Sequence, residues 1–216
     1  AVLAVGDDTA DRFVSALAPK VRALKIGQYD EPDVEMGPVI TQESKERVTD
    51  YINQGEADGA KVVVDGRGLS LQGYEGGFFV GGTLLDHVTA DMSVYRDEIF
   101  GPVLSVLRPK TYEEAVNLVM THEYGNGTAI FTRDGDAARE FANNVNVGMV
   151  GVNVPIPVPV AYHSFGGWKA SMFGDHSIHG MEGVRFYTKL KTVTARWPSG
   201  IKDGAVFNFH SGSETK

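Results

Sequence analysis

Cysteine is absent from the 216-residue sequence. The chain can therefore form no disulfide bond, bind no metal through a thiolate and supply no thiol nucleophile of its own. Long apolar runs are absent as well, since none approaches the roughly 20 residues that a membrane-spanning helix needs. We expect a soluble protein of the cytoplasm, or of the mitochondrial matrix in a eukaryote.

Positive charge is scarce relative to negative charge. The 20 lysines and arginines stand against 28 acidic residues, which gives a net charge of -8 and a pI of about 5.2. A surface of this sign repels phosphate backbones and anionic lipids, so we expect neither a nucleic acid nor a membrane as a partner. The hydrophobic share of 42% is typical of a globular protein with a sizeable core.

The glycine-rich stretches lack the spacing of a dinucleotide-binding loop. Gly66 and Gly68 would require a third glycine where the sequence has Leu71. A second candidate, which begins at Gly125, fails at Ile130 for the same reason. The pyrophosphate of a dinucleotide cofactor is therefore not expected to bind to this chain.

Helical periodicity alternates with β-branched runs over the first 152 residues. Helices are predicted after Asp8, after Thr41, after Thr111 and over 134–145, and Pro19 is expected to kink or interrupt the first. Strands are predicted at 2–5, 61–64, 78–80, 103–107, 128–132 and 149–152. This alternation predicts an α/β fold with a mostly parallel sheet and helices on both of its faces.

One octapeptide, 96–103, places a carboxylate and an aromatic ring two residues apart, just ahead of a Gly-Pro corner. Glu98 and Phe100 are these residues, and a buried strand follows the corner. Side chains that precede such a corner face the rim of the sheet, where open α/β sheets bind their ligands. The sequence therefore makes Glu98 and Phe100 candidate binding residues.

Beyond residue 152 the sequence changes character. The stretch 154–160 alternates valine or isoleucine with proline, cannot form a full hydrogen-bond ladder and is expected to run extended. It leads to the segment 164–169, within a loop long enough to be functional. Residues 188–197 alternate basic and apolar side chains, which predicts a strand that pairs with another subunit.

Seven short motifs, in register, resemble the aldehyde dehydrogenase superfamily over essentially all of the chain. They are Met36-Gly37-Pro38-Val39-Ile40, Glu98-Ile99-Phe100-Gly101-Pro102-Val103, Tyr124-Gly125, Phe131-Thr132-Arg133-Asp134, Val152-Asn153, Phe165-Gly166-Gly167-Trp168-Lys169, and Tyr187-Thr188 with Lys191-Thr192-Val193. The proline-rich stretch and the segments 183–188 and 194–197 are most similar to the methylmalonate-semialdehyde dehydrogenase branch. Members of that branch use NAD and transfer the acyl group to coenzyme A.

The resemblance implies a division of labour along the polypeptide. Residues 1–187 would form most of the catalytic lobe and residues 188–216 an oligomerisation strand and tail, with 188–197 joining a dimer or tetramer. The catalytic cysteine would precede Ala1, and the Rossmann-type NAD domain would lie further upstream. The chain is thus expected to be the C-terminal part of the enzyme, to need its own N-terminal half and to be inactive alone.

The resemblance also gives roles to four residues. The carboxylate of Glu98 would accept hydrogen bonds from the nicotinamide ribose of NAD, and the ring of Phe100 would pack beside the nicotinamide. Phe165 and Asn153 would line the aldehyde pocket. The plainer alternatives are a solvated or Arg96-paired acid at 98, a core phenylalanine at 100 and a simple tight turn after Phe165.

Three histidines and one lysine receive ordinary interpretations. His163, His176 and His179 are close in sequence, but no acidic pattern supports a metal site, so surface histidines are favoured. Lys169 is expected to be a solvated loop lysine. Serines occur near these histidines without the Gly-x-Ser-x-Gly pattern, which leaves a serine hydrolase poorly supported.

The implied reaction is the oxidation of malonate or methylmalonate semialdehyde by NAD. A thiolate from outside this chain would attack the aldehyde, and the resulting thioester would lose carbon dioxide and pass its acyl group to coenzyme A. One alternative is an aldehyde dehydrogenase that hydrolyses its thioester with water. The other is a non-catalytic α/β module that keeps the fold without the chemistry.

Overall fold

Six helices and eight short strands make up residues 1–197, the part of the chain that the structure, a computed structural model, describes. In chain order they are β1 (Val2–Leu3), α1 (Asp7–Arg22), α2 (Gln42–Ala57), β2 (Lys61–Val64), β3 (Thr83–Asp86), α3 (Ser93–Arg96), β4 (Val103–Leu107), α4 (Tyr112–Thr121), β5 (Tyr124–Gly125), β6 (Gly127–Ile130), α5 (Gly135–Asn144), β7 (Met149–Val152), β8 (Trp168–Lys169) and α6 (Gly180–Tyr187).

The central sheet has four strands in the order β1-β4-β3-β2. β4 pairs in parallel with β1 and with β3, with Val2 opposite Val106 and Thr83 opposite Val103, while β2 is antiparallel to β3. Two smaller pairs accompany this sheet, the parallel pair β6 and β7 and the antiparallel pair β5 and β8. The predicted α/β fold with a mostly parallel sheet is confirmed.

Helices cover both faces of the central sheet. Leu84 and Leu85 are neighbours on β3 and point to opposite faces, and neither side chain is exposed. Leu84 packs in a cluster with Val14 of α1, and Leu85 packs in a second cluster with Ile52 of α2. Because full burial of such a side chain contributes about 1.5–3 kcal/mol, these two clusters hold the sheet between its helices.

The predicted strand at 78–80 is wrong. The buried strand in this part of the chain is β3, and Phe78 lies in a loop where its carbonyl accepts a hydrogen bond from Val39 N at 2.9 Å. Just after this loop Gly81 N donates to Gly66 O at 2.8 Å, and the two backbones approach so closely that a Cβ added to Gly66 would lie 2.0 Å from Gly81 O. All four residues of β3 are buried, so β3 shows no alternation that the sequence could reveal.

Of the four helices predicted from the sequence, all but the first begin where expected, whereas α3 and α6 were not predicted. Thr41 accepts a hydrogen bond from Ser44 N at 3.1 Å, and Thr111 caps α4 in the same way. The prediction that Asp8 caps α1 is wrong, because α1 begins one residue earlier and Gly6 stands at its N-cap. Pro19 lies inside α1 without interrupting it, since Ala23 N still donates to Pro19 O.

The chain beyond β7 is less regular. The proline-rich stretch carries no strand, as predicted, and α6 has no buried residue. The strand predicted at 188–197 is not formed among the described residues, and Leu190 and Trp197 are 98% and 91% exposed. The predicted tail after residue 197 lies outside the described residues. In the region that the structure covers, no helix has the length and apolarity to cross a membrane.

Candidate functional site

Glu98 and Phe100 lie in the loop that joins α3 to β4. Both side chains face solvent, and Phe100 is 71% exposed, whereas Ile99 between them is buried. The alternative of a core phenylalanine at 100 is therefore excluded. The loop thus exposes a carboxylate and an aromatic ring on the two residues that flank a buried anchor, Ile99.

Contacts with the sheet and with α2 hold this loop in place. Thr83 N donates to Pro102 O at 2.8 Å, and Tyr51 OH donates to Asp97 Oδ2 at 3.1 Å. Gly101 packs directly against α2, because a Cβ added there would lie 2.4 Å from Val48 Cγ2. The exposed pair of side chains is thus carried by a loop fixed at both of its ends.

The loop of Glu98 and Phe100 does not lie at the edge of the sheet where open α/β sheets usually bind their ligands. Ligands of open α/β sheets bind beyond the carboxyl ends of the strands, but the loop of Glu98 and Phe100 precedes β4 and so lies at its amino end. The argument from the sheet rim is therefore wrong for this sheet. Since β1 runs parallel to β4, the chain also enters β1 from this edge.

The Glu98 carboxylate is not engaged by the described part of the chain. Within residues 1–197 no ion pair joins Glu98 to Arg96, and no hydrogen bond reaches its side chain. The alternative of an Arg96-paired acid is therefore not what the structure shows. An exposed carboxylate with both oxygens open is a ready acceptor for hydroxyl groups.

Phe165 occupies a second loop, between β7 and β8. Its ring stacks on His179, with the ring centroids 4.3 Å apart and the planes 10° from parallel. The loop fits tightly behind this ring, because a Cβ added to Gly148 would lie 1.8 Å from Gly166 O. The glycines after Phe165 thus permit a close backbone approach, and Phe165 itself is half-buried.

Asn153 joins the ends of β6 and β7. Its Oδ1 accepts from Thr132 N and its Nδ2 donates to Thr132 O, each at 3.0 Å. Both ends of the amide are thereby used inside the protein. The structure gives Asn153 a role in holding the backbone, and its predicted place in the aldehyde pocket stays a prediction.

Lys169 is not the solvated loop lysine that we expected. Its Nζ donates to the carbonyl oxygens of Val119, Met120 and His122, at 3.0, 3.0 and 3.1 Å. These carbonyls belong to the last turn of α4 and the residue after it, where a cation offsets the negative end of the helix dipole. The partners lie 47–50 residues away in sequence, so no local signal could have revealed them.

The three histidines have separate partners. His176 Nδ1 lies 2.6 Å from Glu182 Oε2, His179 stacks on Phe165, and His163 packs against Tyr162. Among residues 1–197, no three histidine or acidic side chains gather as a metal site would require. These histidines serve the packing of the second loop.

Left-handed backbone marks the same places. Among residues 1–197, five residues other than glycine have a positive φ, and Phe100, Asn153 and Lys169 are three of them, with φ of 55°, 57° and 53°. Such conformations cost about 1–3 kcal/mol each and collect at binding and active sites.

Two surface cavities, of about 420 and 480 Å³, are lined by other residues, mainly on α2 and in the loop 73–79.

A family model described as the aldehyde dehydrogenase family matches residues 1–193. The chain belongs to the aldehyde dehydrogenase family. The sequence resemblance is therefore confirmed, and membership of an enzyme family counts against the alternative of a non-catalytic α/β module.

Three relatives that are 56–60% identical to this chain are named as malonate- or methylmalonate-semialdehyde dehydrogenases. A malonate-semialdehyde dehydrogenase of Pseudomonas aeruginosa is 57% identical over 90% of this chain and 39% of its own length. A structure described as a methylmalonate-semialdehyde dehydrogenase from Sinorhizobium meliloti 1021, complexed with NAD, is 60% identical with a TM-score of 0.90, over 93% of this chain and 41% of the other. The enzyme of that name from Oceanimonas doudoroffii is 56% identical with a TM-score of 0.89, over 92% and 41%.

The match is one of a part to a whole. The chain spans about two fifths of the length of the aldehyde dehydrogenases that it matches. A more distant structure, a betaine aldehyde dehydrogenase of Staphylococcus aureus in complex with NAD⁺, is 32% identical with a TM-score of 0.78, over 86% of this chain and 36% of the other. The fold of this aldehyde dehydrogenase chain is therefore shared with members of more than one substrate class.

Proposed function

We propose that the protein is part of an NAD-dependent dehydrogenase that oxidises malonate or methylmalonate semialdehyde and transfers the acyl group to coenzyme A. The names of the relatives at 56–60% identity support the semialdehyde, and the NAD complex of one of them supports the cofactor. The observation that carries the proposal is the exposed Glu98 carboxylate, which has no ion pair or side-chain hydrogen bond within residues 1–197, two residues before the exposed ring of Phe100.

Glu98 and Phe100 suit the two halves of a nicotinamide riboside. The Glu98 carboxylate can only accept hydrogen bonds at neutral pH, and the two ribose hydroxyls are donors. The Phe100 ring offers an apolar surface for the nicotinamide, and the buried Ile99 holds it in place. NAD, when bound, supplies the acceptor for the hydride that leaves the substrate.

The nucleophile would come from outside this chain, because the 216 residues contain no cysteine. In a longer polypeptide, residues that precede Ala1 would reach β1 from the edge that holds Phe100, since β1 and β4 are parallel. A cysteine among those residues would lie at the edge of the sheet that holds the loop of Glu98 and Phe100. The isolated chain would be inactive, because it lacks that thiol.

Phe165 would form a wall of the aldehyde pocket, and Asn153 would support the pocket through the strand ends that its amide joins. Residues 188–197 would pair with a second subunit in a dimer or tetramer, which agrees with the exposure of Leu190 and Trp197. We place the enzyme in the cytoplasm or the mitochondrial matrix.

The test is steady-state NADH formation by the full-length protein that contains this sequence. Malonate semialdehyde and methylmalonate semialdehyde are supplied with NAD, with and without coenzyme A. We expect NADH to form and turnover to depend on coenzyme A, with an acyl-coenzyme A as the product. A protein that forms no NADH from either semialdehyde would refute the proposal.

A second function, oxidation of an aldehyde with hydrolysis by water, is favoured by one observation. The betaine aldehyde dehydrogenase shares the fold at 32% identity, so the fold also occurs in an aldehyde dehydrogenase with a different substrate name from the semialdehyde dehydrogenases. The same assay separates the two functions. Full turnover without coenzyme A, with release of the free acid, identifies the hydrolytic enzyme.

A further inference from the structure

The end of α4 is a meeting point for the two loops that carry the candidate site residues. Lys169 reaches it from the second loop, and its Nζ binds the carbonyls of Val119, Met120 and His122. The lysine stem lies over Gly125, where an added Cβ would be 3.2 Å from Lys169 Cδ. Charge, three hydrogen bonds and close packing therefore fix this side chain.

His122 continues the connection toward the first loop. Its Nδ1 accepts from Tyr124 N at 3.1 Å, so the ring hydrogen lies on Nε2, which donates to Tyr95 O at 3.3 Å. The His122 ring also meets the Tyr95 ring edge to face, with the centroids 5.0 Å apart. Tyr95 OH donates to Leu118 O at 3.2 Å, which ties α3 to α4 a second time.

The positions of these residues in the chain show which two loops the contacts join. Tyr95 lies in α3, three residues before Glu98, and Lys169 lies four residues after Phe165. The two loops are therefore linked by side chains and carbonyls through one corner, from Lys169 through His122 to Tyr95. We propose that Lys169 and His122 are positioning residues that set the loop of Phe165 relative to the loop of Glu98 and Phe100.

The inference rests on the proposed function, because it concerns the alignment of the same candidate site. Misplacement of a binding group by about 1 Å can cost up to a hundredfold in rate, so loss of the connection should be visible in kinetics. The residues themselves touch neither substrate nor cofactor in this scheme. Their substitution should therefore raise the KM for semialdehyde and the Kd for NAD, while the protein still folds.

The kinetic test uses the full-length protein with Lys169→Met, Lys169→Arg, His122→Phe and the control Lys110→Met. We expect Lys169→Met to raise the KM for semialdehyde by about tenfold, and His122→Phe to raise the Kd for NAD by about threefold or more. Lys169→Arg keeps donors for the α4 carbonyls and should recover most of the loss. Lys110, which precedes α4 at its other end, should be neutral. Unchanged KM and Kd in Lys169→Met and His122→Phe would overturn the proposal.

A second readout does not depend on activity. Hydrogen exchange of the 216-residue chain, followed by mass spectrometry, measures the exchange of the backbone amides in each of the two loops. We expect Lys169→Met to raise exchange in 164–171 and also in 97–102. An increase confined to 164–171 would show that Lys169 holds only its own loop and would overturn the coupling. A full-length protein without NADH formation would refute the proposed function, while the exchange result would still decide the connection.

Discussion

The first 152 residues and the described residues after them bury their apolar side chains very differently. The first region contains three hydrophobic clusters, centred on α1, α2 and α5. In the second region, as far as residue 197, no hydrophobic side chain belongs to the buried core, and Ile156, Phe173 and Leu190 are exposed. The first region has its own buried core, and the second presents an apolar surface that residues 1–197 do not cover.

This difference separates the two halves of the candidate site. The loop of Glu98 and Phe100 belongs to the packed region and is fixed by Ile99 and Gly101. The loop of Phe165 belongs to the open region and is attached mainly through Lys169 and the short pairing of β5 and β8. The comparison teaches that the loop of Glu98 and Phe100 is held by a packed core, while the loop of Phe165 depends on a few connections.

The largest effect is expected where the packed region holds a buried ion pair. Arg108 donates to both oxygens of Asp86, at 2.9 and 2.7 Å, and Asp86 is 1% exposed. Arg108→Met leaves that carboxylate buried without its partner, which should lower the free energy of unfolding by about 3–5 kcal/mol. Urea unfolding of the 216-residue chain measures the change.

The matched control is Arg139→Met. Arg139 pairs with Asp136 on the surface of α5, where both side chains are largely exposed. Its removal should cost less than about 1 kcal/mol. Equal effects of the two arginine substitutions would contradict the distinction between a buried and a solvated pair.

A second prediction compares the regions directly with one kind of substitution. Leu85→Ala removes a fully buried side chain from β3 and should destabilise the chain by about 2–5 kcal/mol. Leu190→Ala removes a side chain that contacts solvent and should change stability by less than about 0.5 kcal/mol. Thermal unfolding followed by circular dichroism distinguishes them, and similar losses would refute a self-sufficient first region.

A fall in pH should lower the free energy of unfolding of the packed region. Burial opposes ionisation of Asp86, but hydrogen bonds from Arg108 and from His87 N outweigh it, so the pKa of Asp86 lies below its usual value. A lowered native pKa adds stability that is present above the unfolded pKa of about 3.9 and is lost as pH falls through the native value. Unfolding free energies at decreasing pH should therefore fall less steeply in Asp86→Asn, and an unchanged slope would contradict this role.

Local signals in the sequence predicted much of the packed region. Thr41 and Thr111 revealed the starts of α2 and α4, and the β-branched run of β2 was recognised with its bounds. These elements are governed by neighbours in sequence, either a cap within one turn or a short apolar run. Glu98 and Phe100 were selected through a family motif; the structure shows that both are exposed, and their binding role stays a prediction.

The features that were not predicted lack a local sequence signal, and some depend on contacts between residues that are distant in sequence. β3 is buried throughout, so it lacks the alternation that marks a half-buried strand. α6 begins at Gly180, with φ of 61°, and contains Gly183, so its composition does not predict a helix. Lys169 finds its carbonyl partners on α4, and Asn153 binds Thr132 across two strands. Neither contact leaves a mark in the local sequence.

The most direct test of the account is the Kd for NAD of the full-length protein with Glu98→Gln, beside the control Glu140→Gln on the exposed side of α5. Glutamine keeps the size of the side chain but loses the charge that strengthens hydrogen bonds from the ribose hydroxyls. We predict that Glu98→Gln raises the Kd for NAD by about tenfold and that Glu140→Gln leaves it unchanged. Equal affinity in wild type and Glu98→Gln would contradict the assignment of this carboxylate to the cofactor.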